Sequence, residues 1–224
     1  MSHLQDQLDE ITANTRTLVQ PERLAVNERA VEDLFATGIE QHILPVGAKA
    51  PDFALTDSSG RTVRSSDLLA LGPVILNFFR GRWCPYCVTE LEAWRDLYPV
   101  VRELGGLLVA VSPQTVRQSD FTQGQHDIPY PLLYDDGCKV SEQFGLAYTI
   151  PPWHQQHYRN VLVNIPFVNG DQSWKLILPA TYVLAVDGTV LFAEAHADFR
   201  VRPEPEEVLR YLPASGANSS PLVR

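Results

Sequence analysis

Over positions 2–44 apolar residues return at helical rather than strand spacing. Leu4, Leu8, Ile11 and Leu18 are separated by four, three and seven residues up to Pro21, and Leu24, Val31, Leu34, Phe35 and Ile39 continue the stripe beyond it. This predicts a helical extension lying against the rest of the chain or against a second copy. The pattern then changes period. Positions 50–55 and 61–63, with Asp57, Ser58, Ser59 and Gly60 between them, read as a small hairpin. The near-continuous apolar run over 73–79 predicts a strand covered on both faces, as in the middle of a sheet. Leu91, Trp94, Leu97, Val101 and Leu104 then give helical spacing over 89–104, and 107–112 is a second buried strand.

Strand, helix, strand in that order predicts a parallel unit and an α/β fold. Downstream, 116–124 predicts a helix, 132–134 a short strand and 140–144 a helix closed by Gly145. Ile150, Pro151, Pro152 and Trp153 read as a stiff loop, and 161–168 with 174–178 as an inserted hairpin turning at Asn169, Gly170 and Asp171. Positions 181–186 and 189–193 flank the turn Asp187-Gly188, a final helix falls at 204–211, and the Ser/Pro/Gly/Asn-rich tail from Pro213 is expected to be disordered.

The composition of the 224 residues, 45% hydrophobic and 20% charged, is that of a folded protein. A net charge of -9 argues against nucleic acid or an anionic membrane as partner, because phosphate binding needs clustered Lys and Arg. The first ten residues have neither a basic stretch nor an apolar core, and no apolar run approaches the roughly 18 residues of a spanning helix. A cytoplasmic address is expected. Three cysteines are too few for a disulfide scaffold, so the close pair Cys84 and Cys87 points to redox chemistry or to a zinc site.

The pair sits where the buried strand gives way to the helix. A cysteine in a helix's first turn faces free backbone N–H groups and the positive end of the dipole, which favour the thiolate. Arg80 and Arg82 add positive potential, and two intervening residues in a helical turn let the sulfurs close a disulfide. A zinc site needs two further ligands, whereas Cys138 is isolated in sequence and His154 and His157 fall in a distant loop. No motif implies a metal or organic cofactor.

Trp83-Cys84-Pro85-Tyr86-Cys87 resembles the redox turn of thioredoxins and glutaredoxins, and Pro179 before 181–183 resembles the cis-proline that thioredoxin-like proteins place beside the dithiol. A broader resemblance, over about 46–212, is to the peroxiredoxin-like branch of the alkyl hydroperoxide reductase and thiol-specific antioxidant superfamily. It rests on 47–55, on Cys87-Val88-Thr89-Glu90-Leu91, on Asp135-Asp136-Gly137 through Phe144-Gly145-Leu146, and on 198–205. Against the peroxiredoxin pocket P-x-x-x-T-x-x-C plus a remote arginine, aligned on Cys87, this chain has Arg80 for the proline, Cys84 for the threonine and Pro179 for the arginine. Peroxide reduction needs donors for the leaving alkoxide, so these departures bear on rate.

The resemblance implies a thioredoxin-like α/β fold with a central mixed sheet flanked by helices. It divides the chain into an N-terminal helical extension (1–45), a peroxiredoxin-like domain (46–212) and a tail (213–224). It implies a thiol-dependent enzyme reducing hydroperoxides through a Cys84/Cys87 dithiol–disulfide cycle, with electrons from thioredoxin or a similar dithiol. Arg80, Trp83, Tyr86 and Pro179 are candidate substrate-positioning residues. Either Cys84 attacks and Cys87 resolves, as in thioredoxins, or Cys87 becomes the sulfenate and Cys84 condenses with it. Cys138 is a resolving thiol or a buried structural one. Trp153, His154, His157 and Trp174 form a lid or a plain insertion, His196 is read as structural, and Arg200 and Arg202 are expected in surface ion pairs with Asp198 or Glu204. A thioredoxin-type protein disulfide oxidoreductase and a redox-sensing interaction protein are the alternative functions, and a homodimer through the N-terminal stripe is compatible with the pattern.

Overall fold

A computed structural model describes residues 3–213; the expected disordered tail falls almost wholly outside them. The N-terminal stripe forms two helices, α1 (Leu4–Leu18) and α2 (Pro21–Ala36), the second opened by Pro21 where its missing N–H costs nothing. Only Leu4 and Leu8 of the stripe are buried, against the helix that carries the dithiol, while Leu18 and Phe35 are 83% and 64% exposed. The period of the stripe is right, but its outer turns are left uncovered. The start of α1 is held from far along the chain: the Glu204 carboxylate accepts the Leu4 and Gln5 N–H groups at 2.9 Å each.

The hairpin β1 (Ala54–Asp57) and β2 (Thr62–Arg64) leads through α3 (Ser65–Leu69) to β3 (Val74–Phe78), every residue of which is buried. Next come α4 (Pro85–Glu103), β4 (Leu107–Ser112), α5 (Val116–Gln125), β5 (Leu132–Tyr134) and α6 (Lys139–Gln143). After β6 (Ala147–Thr149) come α7 (Pro152–Asn160), α8 (Ile165–Asn169) and β7 (Lys175–Ile177). The chain then forms β8 (Ala180–Leu184), β9 (Val190–Ala195) and α9 (Pro205–Val208). The main sheet runs β2-β1-β5-β4-β3-β8-β9, with β3, β4 and β5 parallel and the other pairings antiparallel. This is the mixed, helix-flanked α/β sheet that the family resemblance implies, with the parallel unit that the pattern predicts.

Alternation along β3 divides the core. Val74, Leu76 and Phe78 face a cluster containing Cys138, Phe144 and Tyr182, whereas Ile75 and Phe79 face Cys84, Cys87, Leu91 and Trp94 together with Leu4 and Leu8. Gly145, at φ 73°, ends α6 where a Cβ would lie 2.0 Å from the His42 carbonyl oxygen, so a side chain there is excluded by backbone.

The expected hairpin over 161–178 is not formed. Pro152 opens α7 instead of stiffening a loop, Asn164 caps α8 by accepting the Phe167 N–H at 3.1 Å, and Gly170 ends α8 at φ 75°. The strand at 175–177 pairs antiparallel with β6, Tyr148 opposite Leu176, rather than with the preceding apolar run. A short apolar run does not distinguish strand from helix by periodicity alone, and here the Asn and Pro caps decide.

Candidate functional site

The loop leaving β3 brings the dithiol to the start of α4. Gly81 has φ 141°, and a Cβ there would meet the Trp83 indole nitrogen at 2.7 Å, so glycine is what lets the loop turn under Trp83. The next amide, Arg82 N–H, donates to the buried Gln114 side chain at 2.9 Å. Cys84 is the N-cap of α4 and Pro85 its first residue. The Cys84 carbonyl accepts the Cys87 and Val88 N–H groups at 3.1 Å each. Both thiols are free and buried, Cys84 at 2% exposure and Cys87 at 0%.

Their environments push them in opposite directions. Burial opposes ionisation of Cys84, but the hydrogen bond from Cys87 and the charges of Arg80 and Arg202 outweigh it and hold the thiol down at about 6. Cys87 is pushed well above its ordinary value by burial and by the adjacent Cys84. One proton is thus divided unequally between two sulfurs, with Cys84 the thiolate at neutral pH.

Two arginines converge from separate segments. Arg80 donates from Nη2 to the Tyr158 hydroxyl at 2.9 Å and lies over the rings of Trp83 (4.7 Å) and Phe199 (4.2 Å), while its Nε is buried without a partner. Arg202 is not on the surface: at 5% exposure it bonds Glu90 Oε2 through Nε at 2.8 Å and reaches Cys87 Sγ through Nη2 at 3.6 Å. A cation therefore stands beside Cys87 although Pro179 holds the position expected of the remote arginine. Arg200 keeps its expected pairing with Asp198 and adds a bidentate bond to Glu28 of α2 at 2.6 and 2.9 Å.

Glu90 lies one helical turn after Cys87 and is fully buried. Asn77 Nδ2 donates to its Oε1 at 2.9 Å, and Thr181 Oγ1 lies 3.4 Å away. Burial raises Glu90 to about 7 against the pull of Arg202, which places a titratable carboxyl behind Cys87. Glu90, Arg202, Asn77, Thr181 and Tyr158 are the residues sequence reasoning missed. An acid at the third position after Cys87, on the same face as apolar Leu91 and Trp94, was the available signal for Glu90. Nothing local in the sequence marked the others.

The remaining candidates fall in several places. Trp83 meets Tyr158 edge-on at 5.3 Å, and Tyr86 is buried against Phe199, with its hydroxyl 3.1 Å from Thr12 Oγ1 of α1. Tyr86 thus ties the redox turn to the N-terminal helix. The Leu178–Pro179 bond is trans, since no cis peptide occurs among the described residues, and Pro179 lines a cavity that also contains Arg80. Cys138 lies on the opposite face of the sheet from the dithiol, with its thiol raised by burial. Trp153 stacks on His154, and Arg29 of α2 covers Trp153 at 4.4 Å; Trp174 instead lies under Arg159 at 4.7 Å. His196 bonds Glu194 at 3.2 Å. Among the described residues no three His, Cys, Asp or Glu side chains are grouped to hold a metal ion, and no helix is long and apolar enough to cross a membrane.

Comparison with known proteins shows what the chain is similar to. The chain is 33% identical over 103 residues to peroxiredoxin Bcp of Bacillus subtilis, covering 46% of this chain and 65% of that one. It is 32% identical over 106 residues to the thiol-disulfide oxidoreductase ResA of Bacillus cereus, covering 46% and 60%. The match thus spans less than two thirds of either relative. A ResA from Geobacillus kaustophilus is 41% identical over 151 residues, covering 67% of this chain and 70% of that one. Among solved structures, peroxidoxin BcpB of Mycobacterium tuberculosis superposes with a TM-score of 0.59 at 25% identity, over 75% of this chain and 96% of that one. The AhpC/TSA family model matches residues 46–193, which hold the dithiol, both arms of the parallel unit, β8 and the first part of β9, and the chain belongs to that family.

Proposed function

We propose that the protein is a thiol peroxidase in which Cys84 is the nucleophile and Cys87 resolves. The observation that carries this is the placement of the dithiol: Cys84 is the N-cap of α4 and lines a cavity together with Arg80, while Cys87 lies fully buried one turn behind it, and the neighbouring arginines lower the Cys84 thiol as burial raises that of Cys87. The Cys84 thiolate attacks the terminal oxygen of a hydroperoxide ROOH. The S–O bond forms as the O–O bond breaks, and the departing RO⁻ takes a proton from solvent and leaves as ROH. Sulfur is oxidised to the sulfenic acid Cys84–SOH. Cys87 then gives its proton to the Glu90 carboxylate one turn behind it and attacks the Cys84 sulfur; the S–O bond breaks, the departing hydroxide takes that proton back from Glu90, and the disulfide closes with release of water. A thioredoxin-type dithiol returns two electrons and two protons. Arg80 supplies the positive charge that the developing alkoxide requires, Trp83 and Phe199 hold the guanidinium in place, and Pro179 borders the approach. A cycle recharged by a thioredoxin-type dithiol suits a reducing compartment such as the cytoplasm.

The test is trapping. Cys87→Ser treated with one equivalent of peroxide accumulates a sulfenate on Cys84 that dimedone captures, and Cys84→Ser does not react at a comparable rate. A sulfenate confined to Cys87 would reverse the assignment of roles. The cysteine at the N-cap of α4, in the place held by the attacking thiol of a thioredoxin, favours one second reading, a protein disulfide reductase. Slow reaction of wild type with every peroxide, together with rapid Cys84-dependent reduction of insulin, would select it.

A further inference from the structure

The family's matched span begins at residue 46, yet α2, which precedes it, roofs a cavity beside the site. This cavity, about 680 Å3, is walled by Ala30, Val31 and Leu34 of α2, by Trp153 of α7, and by Leu178 and Phe199 from below. It meets the smaller cavity of about 390 Å3 that contains Cys84, because Asn27, Arg80, Tyr158 and Phe199 line both. Its walls are mostly apolar, and His154 on them is held neutral at pH 7 by burial, at about 4. The buried charge at the junction is the Arg80 guanidinium, which gives one hydrogen bond to Tyr158 and keeps Nε unpartnered. A mostly apolar chamber whose lining carboxylates, Asp33 and Glu142, are half-exposed, and whose buried cation lies at the end nearest a thiolate, selects a molecule that is apolar along its body and carries an oxygen acceptor at one end.

Size narrows the class further. Hydrogen peroxide needs on the order of 60 Å3, the liquid volume of about two waters. A chamber roughly ten times larger contributes nothing to its binding. We propose that the cavity under α2 receives the organic body of a bulky apolar hydroperoxide and presents its O–O group at Arg80 to Cys84. The proposal rests on the peroxidase reading above and uses the same step: S–O formation, O–O cleavage and departure of the organic part as an alcohol. The N-terminal helices thereby become part of the substrate site, held there by the Glu28–Arg200 and Thr12–Tyr86 contacts.

Cavity-filling variants test it. No residue of α2 is fully buried, so Ala30→Phe and Val31→Phe each project into the chamber without disturbing the core. In both, kcat/KM for cumene hydroperoxide should fall about tenfold or more through KM, while that for hydrogen peroxide stays within about twofold. Equal losses with both peroxides, or no loss with either, would overturn the proposal. Calorimetry with cumyl alcohol, the reduction product, needs no turnover: wild type should bind it saturably and both variants about tenfold more weakly. Failure of wild type to bind cumyl alcohol while it reduces hydrogen peroxide overturns the cavity proposal alone. Selective binding without reduction of either peroxide overturns the peroxidase reading, and the hydroperoxide as occupant with it.

Discussion

Replacing Arg80 by methionine removes a cation acting on Cys84 and keeps a side chain long enough to fill the slot between Trp83 and Phe199. With Cys84 at about 6 against an ordinary value of 9.0, the ratio of thiolate to thiol at pH 7 is about 10 instead of about 0.01. Burial works against that ratio, so it survives only through the Cys87 hydrogen bond, Arg80 and Arg202. At an effective dielectric of about 20, a unit charge changes the ratio about tenfold out to a separation of about 12 Å, and Arg80 lines the same cavity as Cys84. Arg80→Met should therefore lower the thiolate fraction at pH 7 from about nine-tenths to about half or less. The assay is the ultraviolet absorbance of the thiolate against pH, in a Cys87→Ser background that keeps a hydroxyl donor beside Cys84. Stability should follow with the opposite sign to that of an ordinary buried thiol. The folded chain holds the thiolate down to about 6 where the unfolded chain protonates near 9, so the contribution is complete above pH 9 and is lost as pH falls toward 6. In a Cys84→Ser background the cation has no anion to serve, and Arg80→Met should be neutral or stabilising. A wild-type midpoint near 9, or an unchanged midpoint in Arg80→Met, would refute the electrostatic account.

Two further substitutions separate the parts of the site. Glu90→Gln should slow disulfide closure after peroxide attack and erase the step in its pH profile near 7, read by stopped-flow tryptophan fluorescence; a retained step would assign that proton elsewhere. Its raised carboxyl also carries a sign: the cost of burying Glu90 sets in as pH rises past 4.5 and is complete above about 7, so the variant's urea midpoint should lack that decline. Cys138→Ser places a hydroxyl in the apolar cluster across the sheet and should cost about 1–3 kcal/mol in urea unfolding, leaving peroxide turnover unchanged; loss of turnover in the folded variant would make Cys138 a resolving thiol.

Where periodicity and caps agree, the chain is readable. The apolar run at 73–79, the stripe from Leu91 to Leu104 and the turn Asp187-Gly188 each specify one element, and the observed β3, α4 and β8–β9 hairpin follow them. The failure at 161–178 is of the opposite kind: the apolar run reads as a strand although Asn164 and Pro166 begin a helix. The dithiol could be read because its chemistry is local, two thiols and a helix start within four residues. The rest of the site is assembled by the sheet. Asn77 from β3, Thr181 from β8 and Arg202 beyond β9 converge on Glu90 only because β8 pairs with β3, with Asn77 opposite Thr181. Arg202 looked like a surface residue because charged neighbours in sequence offered it partners, and only the fold shows that its partner is a buried acid 112 positions away.

That convergence also bears on why this family frame tolerates a cysteine where a threonine is expected. A threonine hydroxyl beside Cys87 would donate to a Cys87 thiolate. Cys84 instead competes for the negative charge, and the competition is settled by position: Cys84 at the N-cap faces Arg80 and the cavity, whereas Cys87 is one turn in, close to Glu90. A carboxyl behind a thiol opposes its ionisation and favours its role as a proton donor, while an arginine beside a thiol favours the nucleophile. Arg202 touches both Cys87 and Glu90 and so moderates the buried end, and Arg80 has no acid partner at the open end. The asymmetry supports the proposed roles, the outer sulfur as attacker and the inner one as resolver. Under that proposal the thioredoxin-type order of roles runs in a peroxiredoxin frame, with a second redox centre standing where the frame expects a threonine.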